Sequence, residues 1–159
     1  MIFYRSPAAD TGKGPALGTV RTLTAIALTA YPLGAAVRVV GPDSLAPQLF
    51  GFGLILVSLA AAAPVFGSYV QRIIAEQPSR LDEFELQLRQ RAMSKAYALF
   101  TGLALLAVLY AGIATDADLW VPSDFDGFNG LFWGGFLYAT LLPTACLAWS
   151  GDANGLLDG

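Results

Sequence analysis

Few side chains in this sequence are equipped for chemistry, and their spacing limits what they can do. There are twelve carboxylates, nine basic residues, one cysteine (Cys146) and no histidine. Haem held between membrane helices usually needs axial histidine, zinc sites draw on His and Cys clusters, and thiol–disulfide exchange needs a cysteine pair. None of these can be assembled here, so no cofactor or metal is expected, and Cys146 reads as a small apolar packing residue. The carboxylates gather in two places. Asp116-x-Asp118 and Asp124-x-Asp126-Gly127 offer oxygens at alternating positions, as calcium loops do, but no glutamate completes the pattern. A solvated loop tied down by Trp120, Phe125 and Phe128 is the expectation there. Asp82, Glu83 and Glu85 stand where a metal could bind, yet the first turn of a helix favours carboxylates for its own dipole. No catalytic residue is assigned.

The elements that must position these residues are apolar. Hydrophobic residues make up 55% of the chain and charged ones 13%, with a mean hydropathy of +0.57, whereas soluble domains carry roughly 25% charged residues. Several runs of membrane-spanning length contain no ionisable group. The fold class expected is therefore all-α: a polytopic membrane protein with a bundle of four transmembrane helices, at about 21–40, 48–69, 96–114 and 129–149. Residues 1–20 and 151–159 form tails, the second of them acidic and expected to fray, while Ile2–Arg5 suits either a loose tail or the membrane surface. A cleaved signal peptide competes for the first span, because Gly34-Ala35-Ala36 resembles a cleavage site, but about 20 residues precede the apolar run and an uncleaved span is expected.

Basic residues fix the orientation. Arg5, Lys13, Arg21, Arg72, Arg80, Arg89, Arg91 and Lys95 fall in the first segment and the middle loop; only Arg38 falls on the other side, with Asp43, Asp116, Asp118, Asp124 and Asp126. Positive residues stay cytoplasmic, so both termini are expected inside. Trp120 and Trp149 would mark the two interfaces.

The middle loop carries the most information. Pro78-Ser79-Arg80-Leu81-Asp82-Glu83 reads as a helix start, with Ser79 accepting from exposed amides. No proline follows up to Ala114, so the third span is expected to be the upper part of one helix roughly 50 Å long, extended into the cytoplasm over residues 80–95. Glu85 and Arg89 are spaced for an i, i+4 pair. Leu81, Phe84, Leu88 and Ala92 form one apolar stripe on that extension. The stripe is either packed on the protein's own tail or on lipid headgroups, or it is a docking face for a partner subunit. The string from Leu81 to Tyr97, with its L-D-E-x-E start, arginines and A-Y pair, resembles one seen in small uncharacterised four-helix proteins of the bacterial inner membrane. The resemblance implies location and architecture, and no activity.

Within the spans, an ionisable residue near the bilayer midplane is the usual mark of coupled transport, and none is present. Small multidrug exporters, similar in size, rely on a membrane-embedded glutamate that this chain lacks. Pro32, Pro64 and Pro143 free backbone carbonyls, and Tyr31, Thr140 and Thr144 are the polar groups expected to fill those gaps. Gly130-x-x-x-Gly134 and Ala30-x-x-x-Gly34 are small-residue grooves suited to close helix packing. Three proline-bearing helices are expected around a proline-free one. Three functions remain open: a non-enzymatic accessory or scaffold subunit of a membrane assembly, a small oligomeric channel or facilitator, and a lipid-interacting membrane enzyme. The first leads. Its expected partners are membrane lipids and other membrane subunits or a second copy, with no nucleic acid.

Overall fold

The computed structural model describes residues 14–42, 44–123 and 125–156, and these are all-helical, with no strand. Five α-helices follow one another: α1 (Leu17–Val40), α2 (Leu45–Val65), α3 (Tyr69–Ala75), α4 (Glu83–Asp116) and α5 (Phe125–Ala148). Four of them, α1, α2, α4 and α5, are long and apolar enough to cross a membrane. The protein is a multi-pass membrane protein. The readings placed on residues 1–13, Asp43, Asp124, the Asp126 side chain and residues 157–159 lie outside what is described.

Local sequence explains where the helices break. Pro64 sits in the last turn of α2, and Gly67 and Ser68 close that turn by bonding back to Pro64 and Val65. The Ser68 hydroxyl then accepts from the Gln71 amide and starts α3, a seven-residue helix. Tyr69, expected at the end of the second span, therefore opens a separate element. The start of the long helix also differs from expectation. Pro78–Arg80 is a single 3-10 turn, and the cap is Asp82 rather than Ser79. Asp82 accepts from the Glu85 amide at 2.7 Å while Glu85 reaches back to the Asp82 amide at 3.4 Å. Two exposed donors are satisfied reciprocally, which a cap at Ser79 lacking a glutamate three residues on would not achieve. From there α4 runs 34 residues without proline, about 51 Å at 1.5 Å per residue.

The helices pack in a row rather than around a centre. α1 lies between α2 and α5, α4 packs mainly on α5, and α3 joins α4 to α5 beneath them. The expected arrangement, with the proline-free helix at the centre, is not found: α4 stands at one end of the row and is the least buried span. Only 6% of its membrane stretch is buried, against 28% to 39% in the other three. The reason is compositional. α1, α2 and α5 carry the buried hydroxyls and the tightly placed glycines that bind helices together, whereas α4 presents leucine and valine all round. The core is richest at the end where α3 sits, with Ile73, Ile74, Leu88, Leu141 and Leu147 buried together. The tail does not fray over its described part: Gly151–Leu156 forms a 3-10 turn with Ala153 fully buried.

Candidate functional site

The small-residue grooves do their work inside the protein. Gly34 of α1 faces Gly51 of α2 so closely that a Cβ on Gly34 would lie 2.6 Å from the Gly51 carbonyl, and one on Gly51 2.7 Å from the Gly34 carbonyl. No side chain fits at either position, which is why α1 and α2 form the tightest pair. Ala30 is buried on the same helix. Gly134 of α5 yields its space to the Tyr31 ring, whose Cε1 would stand 2.8 Å from a Cβ there. Gly130 differs. A Cβ on it would meet nothing within 4 Å, and its contribution is its carbonyl, which accepts from the Tyr31 hydroxyl at 2.7 Å.

Hydroxyls join the spans by bonding to backbone carbonyls. Pro32 has no amide hydrogen, so the Leu28 carbonyl, four residues back, loses its helical donor. Tyr138 of α5 supplies the replacement, its hydroxyl donating to Leu28 at 2.5 Å. Tyr31, expected in that role, goes to Gly130 instead. Ser58 of α2, fully buried, donates to the Ala27 carbonyl at 2.7 Å. α1 is thereby tied to both neighbours along its length. Thr140 bonds back to Phe136 and Leu137 in its own helix, and Thr144 donates to the Gln71 side chain, so neither fills the gap left by Pro143 as expected.

A polar belt closes the end that carries α3. Glu85, the capping-box partner of Asp82, also accepts from Tyr69 at 2.6 Å and pairs with Arg72 at 2.8 Å, while the Arg72 guanidinium lies 4.4 Å above the Tyr69 ring. Burial and the Glu85 acceptor push the Tyr69 phenol above its ordinary value of 10.0. Arg89 does not pair with Glu85 as its spacing suggests but donates to the Glu76 carbonyl at 2.6 Å. Arg21 caps the end of α5 through the Ala148 carbonyl at 2.7 Å. Arg91 meets Asp152 of the tail at 3.3 Å. Lys95 has no hydrogen bond or ion pair among the described residues. This belt was hidden from sequence inspection because α3 brings Tyr69 and Arg72 back beneath α4, a fold-back that only the Pro64–Ser68 break announces.

The stripe expected either to pack on the protein's own tail or on headgroups, or to dock a partner, is divided. Leu88 and Ala92 belong to the core, Leu81 is half-buried and Phe84 is 49% exposed. Leu88 and Ala92 are therefore not free to dock a partner, since they lie in the core at the end where α4 packs on α3 and α5. The exposed apolar surface lies higher, on the membrane stretch of α4, where every residue from Leu103 to Ile113 is exposed. The loop before α5 is likewise not tied down by its aromatics: Trp120, Phe125 and Phe128 are all exposed, and the loop is held by Tyr110 donating to the Trp120 carbonyl at 2.8 Å. Cys146 is half-buried against the core. Among the described residues no group of three or more His, Cys, Asp or Glu could hold a metal ion. Compared with protein-family models, with curated proteins and with solved structures, the chain matches none.

Proposed function

We propose that the protein is a non-enzymatic accessory or scaffold subunit of a larger membrane assembly, seated in a bacterial inner membrane with both termini cytoplasmic. The observation that carries this reading is the state of α4. Leu99, Leu103, Leu106, Tyr110 and Ile113 recur at the alternating four- and three-residue steps of a heptad seam, and all five are exposed, Leu106 by 63% and Ile113 by 66%. Such a seam is the pattern with which one helix meets another. Tyr31, Ser58, Tyr138 and the close glycines Gly34, Gly51 and Gly134 bind α1, α2 and α5 to one another, while α4 has no such tie along its exposed stretch from Leu103 to Ile113 among the described residues. The partner in this reading is a transmembrane helix of another subunit.

Location rests on the resemblance of the Leu81–Tyr97 string to small inner-membrane proteins, and orientation on the basic residues gathered at the α3 end. The channel alternative gains no observation in its favour: Ser58, Tyr31 and Tyr138 point into helix–helix contacts. The test is mild extraction of the protein from its own membrane, followed by mass spectrometry of what remains attached. Stoichiometric membrane partners are expected. A lone monodisperse protein would overturn the proposal.

A further inference from the structure

Beside the heptad seam, α4 carries a second face of different character. Arg91, Lys95, Ala98 and Gly102 follow at i, i+4, i+7 and i+11, one stripe at 100° per residue, roughly 70° round the helix from the seam. Arg91, Lys95 and Ala98 are exposed, and a Cβ on Gly102 would meet nothing within 4 Å. The cations of this end are sorted by their partners. Arg21, Arg72 and Arg89 turn inward to carbonyl or carboxylate acceptors. Arg80 is held near Glu76 at 3.9 Å, outside the span. Among the described residues Arg91 has only the 3.3 Å contact with Asp152, in which the two side chains are 66% and 52% exposed, and a pair so exposed contributes little. Lys95 has no partner among the described residues. Two outward cations, one of them touching an exposed carboxylate, therefore stand at the foot of an apolar helix.

Their height is that of lipid headgroups. Tyr97, two residues beyond Lys95, and Trp149, directly after α5, are both exposed and mark this level as interfacial aromatics do. Directly above Lys95 the small residues Ala98 and Gly102 leave a shallow trough on the helix backbone, flanked by exposed Leu99 and Leu105. Cations at headgroup level below an open apolar trough match one molecule: an amphiphile with an anionic head and long acyl chains.

We propose that this face of α4 binds an anionic phospholipid, its phosphate between Arg91 and Lys95 and one acyl chain along Ala98 and Gly102. Charge complementarity selects the lipid over a second helix, because a copy of this face would bring its own two cations to the same place. A lipid seated here flanks the heptad seam, so the assignment stands or falls separately from the accessory-subunit reading.

The test uses the purified full chain in a zwitterionic detergent, titrated with dioleoyl phosphatidylglycerol and read by native mass spectrometry. Dioleoyl phosphatidylcholine and glycerol 3-phosphate serve as controls. The wild type retains phosphatidylglycerol, does not retain phosphatidylcholine, and is not displaced by glycerol 3-phosphate. Arg91→Gln with Lys95→Gln weakens retention by roughly fivefold for each cation removed, equivalent to about 1 kcal/mol per charge near an anionic surface. Arg80→Gln, which removes an exposed cation of the same end, leaves retention unchanged. Gly102→Leu fills the trough and lowers retention with both cations intact; helical circular dichroism confirms that each variant is folded. Equal losses in the Arg80 variant would reduce the effect to the general charge of this end and overturn the site. Displacement by glycerol 3-phosphate, or full retention in the Gly102 variant, would overturn the acyl trough. Dimers that fall apart in these variants without any bound lipid would assign the face to a second copy instead.

Discussion

Replacing Tyr138 by Phe keeps the ring and removes one hydroxyl, and the structure says what that hydroxyl is for. It donates at 2.5 Å to the Leu28 carbonyl, which Pro32 has deprived of its helical partner. An acceptor left unsatisfied in an apolar interior costs about 1–3 kcal/mol. Hydrogen bonds between membrane helices measure less, averaging about 0.6 and reaching about 1.7 kcal/mol, because the unfolded chain finds other partners. A value near 1.5 kcal/mol is expected for Tyr138→Phe, in the upper part of that range, since no helical amide is available to take over. Pro32→Ala restores that amide. In the Pro32→Ala background the Leu28 carbonyl already has its donor, and Tyr138→Phe should then cost only about 0.5 kcal/mol, the worth of a second bond to a satisfied acceptor. The coupling in the double-mutant cycle is thus about 1 kcal/mol. Unfolding in mixed micelles, titrated with denaturing detergent and followed by tryptophan fluorescence, supplies the four stabilities. Equal costs of Tyr138→Phe in the two backgrounds would refute the idea that Tyr138 completes the proline-broken helix.

Other perturbations separate glycines that touch something from glycines that do not. Gly34→Ala or Gly51→Ala places a methyl group within 2.7 Å of a backbone oxygen and should destabilise the α1–α2 pair by about 2 kcal/mol or more, whereas Gly112→Ala, with open space around it, should stabilise the detergent-solubilised protein by up to about 1 kcal/mol; thermal unfolding of the three variants checks the order. Tyr69 holds its proton more tightly folded than unfolded, so its contribution is fully present below the unfolded value near 10 and is lost as pH rises through the folded value. Alkaline titration of the melting temperature should show that loss in the wild type and a flatter curve in Tyr69→Phe; identical curves would contradict the role given to the phenol. Glu85→Ala removes at once the reciprocal half of the α4 capping box, the Arg72 partner and the Tyr69 acceptor, and should cost about 3 kcal/mol, more than the roughly 1 kcal/mol of a lost cap alone, measured in the same unfolding assay.

Legibility in the sequence followed the physics of each feature. The four spans were plain because the bilayer demands long apolar runs, and composition alone reports those. The long α4 was readable from the absence of proline, but its start was misplaced from Asp82 to Ser79, because both residues cap helices and only the reciprocal bond with Glu85 decides between them. α3 was missed: a helix of seven residues shows less than two full turns of periodicity, and its Val70, Gln71, Ile73 and Ile74 are all buried, which leaves no polar stripe to find. The spacing of Gly34 and Gly134 marks them as small-residue positions, yet which neighbour each meets depends on how the spans are arranged laterally, and that is not written in any one segment. The Leu81–Ala92 stripe was seen as apolar, but whether such a stripe faces the protein or the outside turns on α3, so Leu88 and Ala92 could not be placed from periodicity alone. The outward position of α4 was equally invisible, since a helix that is apolar all round gives no direction.

The central claim is that α4 presents a seam to another membrane helix. A photo-crosslinking amino acid placed in turn at each position from 99 to 113, in intact membranes, tests it most directly. Protein adducts should peak at 99, 103, 106, 110 and 113 and fall at 105 and 109, following the heptad. Uniformly low yields, or lipid adducts alone at every position, would contradict it.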